Sequence, residues 1–496
     1  MAMAPLPNRL YSAAQTRELD RLAIAGGVSG ATLMARAGQA AFDLMLQRWP
    51  EVREPAILCG AGNNGGDGYV VARLAQEAGL RPVVYQWRPL DRLGGDALAM
   101  AEAARDAGVP MQPLNLDNLP LTAPLLVDGL LGTGISGALR DDMRALLQAL
   151  DALGKPVLAL DVPSGLSADS GASAGAVLSA DCTITFIGVN RGLLTGVGPC
   201  HSGQLVFSGL NVDEAVYQAI PDPVWRPTPL DLRRWLPRRR RDGHKGHYGH
   251  VLVIGGDHGF AGAPSMSAQA AARCGAGLVS LATRAENLTA VLARQPEIMA
   301  RAVEDVAELE PLLERATVVA VGPGLGTGEW GQTLLKRALM TDLPLVLDAD
   351  ALNLLADWGV DANDHWVLTP HPGEAGRLLG SDSATVQRDR FAAVEALASR
   401  YGGTALLKGL GTLVRGGDGC ALISDGNPGM GSGGMGDVLT GVIAALLAQG
   451  VPPYLAATLG AMAHARAADR AAAEHGERGL LATDLLPPLR WELNGK

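Results

Sequence analysis

Two glycine-rich stretches carry most of the chemistry this chain can offer. The first, Gly60–Gly68, reads GAGNNGGDG and joins a short apolar run to a helical pattern. It has neither the GxGxxG spacing nor the Lys-Ser/Thr ending of a Walker A loop. Its small residues let backbone N–H groups approach an anion at a helix start, and Asn63, Asn64 and Asp67 add side chains. A Gly/Asn loop alone reads equally well as a turn of left-handed residues. Two more strand-end segments repeat the pattern. Val127-Asp128-Gly129 leads into Leu131-Gly132-Thr133-Gly134-Ile135-Ser136-Gly137, and Leu160-Asp161-Val162-Pro163-Ser164-Gly165 ends another apolar run. One such aspartate could merely cap a helix. Three loops of this kind in one sheet point to a site at the carboxyl ends of strands. The oxygen-only donors Asn64, Asp128 and Ser164 suit a hard cation and not zinc.

The second stretch, Gly429–Gly441, reads GMGSGGMGDVLTG. A glycine-rich turn opening a helix presents backbone N–H groups as an anion nest, and Asp437 then falls in the first helical turn. Four other segments of the same half place reactive side chains at strand ends or helix starts. They are Leu407-Lys408-Gly409-Leu410-Gly411-Thr412, the turn Val321–Gly326, Leu347-Asp348-Ala349-Asp350, and Thr369-Pro370-His371-Pro372-Gly373-Glu374. A lone histidine is usually structural. Flanked by Pro and Pro-Gly-Glu, His371 reads as part of a site.

The elements that must position these loops alternate in type. In the first half, strands are expected at Ala56–Cys59, Pro82–Gln86, Pro124–Val127, Pro156–Leu160 and Cys182–Phe186. Helices are expected between and before them, one at Gly68–Ala78 directly after the first loop. Near-continuous apolar strands alternating with helices mean a mainly parallel sheet covered on both faces. The second half repeats that grammar from His250–Ile254 onward, adding a hairpin across Gly416–Gly419 and helices at Ala384–Tyr401, Met435–Gln449 and Pro453–Glu474. Between the halves, PDPVWRPTPLDLRRWLPRRRR is dense in proline, which blocks regular structure, and in arginine, read as a solvated connector or a basic guide for an anionic ligand. The expected organisation is a domain over 1–220, a linker over 221–241 and a second domain over 242–496.

Composition narrows the function classes. With 41 Lys+Arg against 51 Asp+Glu, the net charge of −10 argues against general nucleic-acid binding. Apolar residues make up 48% of the 496, enough for large cores, and no apolar run is long enough to span a membrane. The 5 cysteines are scattered without a CxxC, which fits a reducing compartment and no zinc cluster. The 64 glycines form no repeat, so they belong in tight loops.

Set together, GNNGGDG, VDGLLGTG and DVPSGLSADSG resemble the epimerase domain of the NAD(P)H-hydrate repair enzymes. That resemblance implies a Rossmann-like doubly wound domain. It assigns Asn63, Asn64, Gly65, Gly66 and Asp67, with Gly132, Thr133, Gly134, Ile135, Ser136, Gly137 and Ala138, to the hydrated nicotinamide nucleotide. It assigns Asn64, Asp128 and Ser164 to a potassium ion, and Asp161 to substrate binding and proton transfer. Leu33-Met34-Ala35-Arg36-Ala37-Gly38 is similar to a family helix, but Ala35 stands where glutamate is usual, so any role of that carboxylate is missing.

His244-Lys245-Gly246-His247-Tyr248-Gly249, GPGLG, DADALN, TPHPGE, KGxxT and GMGDVLTG resemble the ribokinase-like NAD(P)H-hydrate dehydratase. Met435 and Ser432 stand where relatives often carry Ala or Thr, swaps that leave the backbone nest intact. The resemblance implies substrate contacts at Ala263, Gly324, His371 and Asp437, with Asp437 as general base. It implies nucleotide contacts at Lys408, Gly409, Leu410, Gly411, Thr412 and Gly436. It further implies ADP as co-substrate, Mg²⁺ in the second domain, NADHX and NADPHX as substrates, a homo-oligomer and a cytoplasmic location. A ribokinase-class small-molecule kinase and a non-catalytic nucleotide-binding regulator are the rival readings.

Overall fold

The computed structural model describes residues 5–135 and 137–495, and Ser136 lies outside the described residues. The chain divides into two compact units, Met1–Val224 and Trp225–Lys496.

The first unit is built on seven parallel strands: β1 (Ala56–Cys59), β2 (Val83–Gln86), β3 (Met111–Pro113), β4 (Leu126–Gly129), β5 (Val157–Leu160), β6 (Cys182–Phe186) and β7 (Gln204–Ser208). Their order is β3-β2-β1-β4-β5-β6-β7. Strand order reverses between β1 and β4, which opens a crevice at their carboxyl ends where ligands bind in doubly wound sheets. β1, β4 and β5 are buried at every position, as the apolar runs of β1 and β5 require, and β4 buries Asp128 with its apolar residues. A short parallel pair, Arg9–Tyr11 with Val189–Asn190, stands apart from this sheet. β3 and β7 were not legible as strands: one is only three residues long and neither is fully buried.

The helix after β1 starts at Asn63, not at Gly68 as expected from sequence, with Gly62 as its N-cap. Asn63, Asn64, Gly65, Gly66 and Asp67 are therefore its opening turns and not a loop. Glycine disfavours helix, but packing overrides that here. A Cβ on Gly65 would lie 2.1 Å from the Gly60 carbonyl oxygen, and one on Gly66 would lie 2.5 Å from Met34 Sδ.

The second unit carries β8 (His250–Ile254), β9 (Leu278–Thr283), β10 (Met299–Ala302), β11 (Val318–Val321), β12 (Leu345–Leu347), β13 (Trp366–Leu368), β14 (Thr404–Leu407), β15 (Thr412–Gly416) and β16 (Gly419–Ile423). The order is β10-β9-β8-β11-β12-β13-β14-β15-β16, parallel as far as β14 and closed by the expected antiparallel hairpin β15–β16. The helices Met435–Ala448 and Pro453–His475 bury most of their apolar residues in the core of this unit. The expected helix Ala384–Tyr401 is two, Ser383–Arg388 and Arg390–Tyr401. Asp389 breaks it at φ −144°, ψ 87°, and its side chain caps the second piece by accepting from Ala392 N.

The Pro/Arg segment departs from the solvated connector expected of it. Pro229–Trp235 is a helix with proline in its first turn, the one helical site where the missing N–H costs nothing. Leu232 is 3% exposed and belongs to the core of the second unit. Trp225 pairs with Ala421 of β16, Arg233 donates to the Gly495 carbonyl at 2.8 Å, and the Arg239 guanidinium lies 3.8 Å over the Tyr248 ring.

Two candidate active sites

In the first unit, a cleft of about 820 Å³ opens at the carboxyl ends of β1, β4 and β5. Asn63, Asn64, Asp67, Gly132, Thr133, Gly134, Ile135, Ala138 and Asp161 all line it. The three strand-end loops are cross-linked. Ser164 Oγ donates to Asp128 Oδ1 at 2.6 Å, Ser164 N to Asp128 Oδ2 at 2.8 Å, and Leu131 N to Ser164 Oγ at 2.9 Å. Asn64 Nδ2 donates to the Leu131 carbonyl at 2.9 Å. Asn64 Oδ1 is buried with no hydrogen-bond partner. A bare buried amide oxygen is costly unless something electropositive meets it, so Asn64 Oδ1 fits a cation, while the oxygens of Asp128 and Ser164 are engaged with each other and with backbone N–H groups.

Asp161 adopts φ 62°, a backbone conformation that is strained for a residue other than glycine. Its N–H donates to the Ile184 carbonyl at 2.7 Å, and Asn190 Nδ2 approaches its Oδ1 at 3.5 Å. Gly132 lets its loop come close to both Asn64 and Asp161, as a Cβ there would lie 3.2 Å from Asn64 Cβ and from Asp161 Oδ2. Burial, together with the charge of Asp20, pushes the Asp161 carboxyl up to about 7, against a hydrogen bond from the Thr133 backbone. Asp67 is pushed well above the usual carboxylate range by burial and by the charges of Asp161 and Asp20. Burial alone takes Asp20 up to about 6.

Asp20 was missed by sequence reading. It lies in the helix Ala13–Ala25, where Thr16, Leu19 and Ala23 are buried. A carboxylate four residues after Thr16 and three before Ala23 falls on the packed stripe, and that was the available signal.

The second site gathers around a buried ion pair. Asp348, 2% exposed, accepts from Lys408 Nζ at 2.8 Å and from Thr440 Oγ1 at 2.9 Å. Burial opposes ionisation of Asp348, but the Lys408 ammonium and hydroxyl donors outweigh it and hold the carboxyl below its ordinary value. Lys408 stays charged for the same reason: burial works against it, and Asp348, Glu374 and Asp437 raise it. Lys408 Nζ also lies 3.9 Å from Glu374 Oε2, and that oxygen accepts from His371 N at 2.8 Å. His371 Nδ1 takes the N–H groups of Gly373 and Glu374, so the histidine caps its helix while its ring stays exposed.

Asp437 sits in the first turn of Met435–Ala448, after Gly434 at φ 93°. Burial and the charge of Asp348 push it up to about 7, against the pull of Lys408. Gly436 brings that helix close, since a Cβ there would lie 3.2 Å from Lys408 Nζ and 3.6 Å from Asp348 Oδ2. The helix that contains Ala263 packs alongside, with Ser267 Oγ donating to the Asp437 carbonyl at 2.8 Å. Gly324, at φ 58°, accepts from Gly256 N and Asp257 N at 2.8 Å, so its turn sits against the loop that enters the same helix.

The loop Lys408-Gly409-Leu410-Gly411-Thr412 is tied from below by Arg390, which sequence reading also missed. This fully buried guanidinium donates to the carbonyls of Leu407, Lys408 and Gly411. Gly409, at φ 138°, leaves it room, as a Cβ would lie 2.9 Å from Arg390 Nη1. The Leu410 side chain stays exposed.

These folds and sites define a two-part α/β nucleotide enzyme, one part Rossmann-like and the other ribokinase-like. Residues 30–192 match the family described as YjeF-related protein N-terminus, and residues 251–489 match the one described as NAD(P)H-hydrate dehydratase. The chain belongs to the family of bifunctional NAD(P)H-hydrate repair enzymes. It is 48% identical over 492 residues to the bifunctional NAD(P)H-hydrate repair enzyme Nnr of Coxiella burnetii, covering 98% of this chain and 99% of that relative. It is 44% identical to the Nnr of Escherichia coli, covering 99% and 95%. Among solved structures, it is similar to the ADP/ATP-dependent NAD(P)H-hydrate dehydratase of Bacillus subtilis co-crystallised with ATP and Mg²⁺. The TM-score is 0.50 at 29% identity, over 56% of this chain and 99% of that one. A ribokinase-like superfamily protein of Enterococcus faecalis gives 0.51 at 29% identity, over 54% and 95%.

Proposed function

We propose that the chain repairs hydrated NADH and NADPH in two steps, one in each unit, and that ADP drives the second. The observation that carries the reading is the pair of carboxylates poised near neutrality, Asp161 in the cleft lined by the Asn63 helix start and Asp437 in the first turn of the helix that follows the second glycine-rich stretch. The hydrate bears a hydroxyl at C6 of the nicotinamide ring. Hydroxide is a poor leaving group and phosphate a good one.

In the second unit, Asp437 takes the proton of the C6 hydroxyl as its oxygen attacks the terminal phosphorus of ADP, and AMP departs. The backbone N–H groups of Ser432–Gly434 and the Lys408 ammonium stabilise the charge that develops on the transferring group. The ring nitrogen's lone pair then expels phosphate, a proton leaves C5, and NAD(P)H results. Lys408 and Thr440 already occupy the Asp348 carboxylate. Mg²⁺ would therefore be held chiefly by nucleotide phosphates beside Asp348 and Asp350, neutralising charge there. Ala263, Gly324 and His371 are assigned to the hydrate, and Lys408–Thr412 with Gly436 to the nucleotide.

Such a site accepts one C6 epimer. The first unit supplies it by interconverting R and S hydrates. Inversion at C6 requires one bond to break and re-form on the other face, with a proton carried on and off a heteroatom. Asp161 is placed to carry that proton, beside Asp67, whose carboxyl burial and like charge push well above the usual range. Asn64 Oδ1, with Asp128 and Ser164 bracing the loops behind it, would hold K⁺, which supplies charge that orders these loops around the substrate phosphates. A ribokinase-class kinase alone would leave the first cleft without a role. The same reading carries an assembly of identical subunits and a cytoplasmic location.

The direct test is purified protein with chemically hydrated NADH and ADP, following regained dihydronicotinamide absorbance and formation of AMP. Full recovery of an R/S mixture is expected. No recovery with either ADP or ATP would overturn the reading.

A further inference from the structure

The glycine-rich turn before Asp437 is anchored by two residues that neither step above uses. Asp469, on the helix Pro453–His475, accepts from Gly426 N through Oδ2 and from Asn427 Nδ2 through Oδ1, both at 2.9 Å. Asn427 then accepts from Gly429 N through Oδ1 at 3.0 Å, and its carbonyl takes Met430 N at 3.1 Å. One carboxylate thus sets the backbone that enters the nest. The far side of the turn is equally fixed. A Cβ on Gly429 would lie 2.5 Å from the Glu477 carbonyl oxygen, and Ser432 Oγ donates to the Leu480 carbonyl at 2.9 Å.

Asp469 itself rides on a rigid support, since Ala467, Ala468 and Ala471 of its helix are buried in the core. Nearby charges are committed elsewhere. Arg466 pairs with Asp425 at 3.5 Å and with Glu492 at 2.9 Å, and Arg470 pairs with Glu492 at 3.0 Å. Asp469 takes its two donors from the loop.

We propose that Asp469 and Asn427 are positioning residues for phosphoryl transfer, a relay that fixes the start of the turn and so where the N–H groups that follow, Ser432–Gly434, point. The proposal rests on the dehydratase reading of this unit. The relay has a definite polarity: Asp469 only accepts, and Asn427 must donate to it with one atom while accepting from Gly429 with the other. In Asp469→Asn, an amide at 469 that still serves Gly426 turns its NH₂ toward the NH₂ of Asn427. In Asn427→Asp, two carboxylates face each other. In the double variant Asn427→Asp/Asp469→Asn every bond is restored with donor and acceptor exchanged. The amide then at position 469 donates to the carboxylate then at position 427, and its oxygen still accepts from Gly426.

The experiment measures kcat and KM for ADP in dehydration, with epimer exchange and thermal unfolding of the same full-length proteins as controls. Each single variant should lose ~10–100-fold in kcat, the scale of donors displaced from developing charge, with KM for ADP little changed. The double variant should recover to near the wild-type kcat. Single variants with wild-type kcat, or a double variant as slow as the slower single, would overturn the relay. Should a single variant unfold, Asn427→Ala tests the same link without opposing charges, and wild-type kcat in that protein likewise overturns it. Failure of the dehydratase reading itself would show differently, as a wild-type protein with no turnover of hydrate and ADP.

Discussion

Asp161 and Asp437 both stand at about 7, yet they reach that value in opposite company. Asp161 shares its cleft with Asp20 and Asp67, so burial and like charge act together. Asp437 is also buried, and Asp348 also raises it, but Lys408 pulls it back. The first site is an acidic cluster in which the charge of Asp20 raises Asp161 and the charges of both raise Asp67, suited to passing a proton to and from a neutral ring. The second has a buried cation among its carboxylates, suited to a step in which negative charge moves between oxygens. On the proposed roles, the same near-neutral carboxyl would serve two chemistries, and the neighbours distinguish them.

The strongest way to break that comparison is to remove each carboxylate in turn. Asp437→Asn should lower dehydration by at least ~10²-fold, the scale of general-base removal, and leave epimer exchange intact. Asp161→Asn should do the reverse, stalling repair once the S hydrate in a mixture is consumed. Loss of both activities in either protein would mean that the two sites are not independent.

The cation sharpens the contrast. Replacing potassium by a bulky organic cation should slow epimer exchange about tenfold or more, on the scale of lost supporting contacts around a metal. Dehydration of pure S hydrate in the same buffers need not follow. Asp128→Ala should mimic the effect, as it removes the carboxylate that braces Ser164. Equal exchange in both buffers together with wild-type exchange in Asp128→Ala would return Asp128 to a purely structural role.

Much of this was readable in the sequence because the signals were local. Apolar runs marked most strands, and glycines beside Asp or Asn marked strand ends. What was not readable depended on packing at a distance. The helix start at Asn63 follows from Gly65 and Gly66 pressing on Gly60 and Met34, residues no pattern links. Arg390 is bound to a loop 17 residues or more away along the chain, and only the fold shows that its guanidinium meets three carbonyls. The Pro/Arg segment misled because proline was read as a breaker, whereas Pro229 begins a helix.

Because that helix buries Leu232, a fragment starting at Trp225 should fold more stably than one starting at Asp242, which lacks it. Burying one leucine contributes ~1.5–3 kcal/mol. Chemical denaturation of the two fragments measures the difference, and equal midpoints and slopes would show that the segment adds nothing to the second unit.

The smallest expected effect tests the electrostatic contrast itself. For each step, kcat/KM should rise with pH along a limb near 7, because the free enzyme's carboxyl must lose its proton to act as a base. Asp20 raises Asp161 by like charge, so Asp20→Asn should move the epimerisation limb to lower pH. Lys408 lowers Asp437 by opposite charge, so Lys408→Met should move the dehydration limb to higher pH, whatever it does to the rate. A nearby charge shifts a carboxyl by about one unit or more. The two limbs must therefore move in opposite directions. If both move the same way, or neither moves, the two carboxylates are not set apart by their neighbours, and burial alone accounts for both.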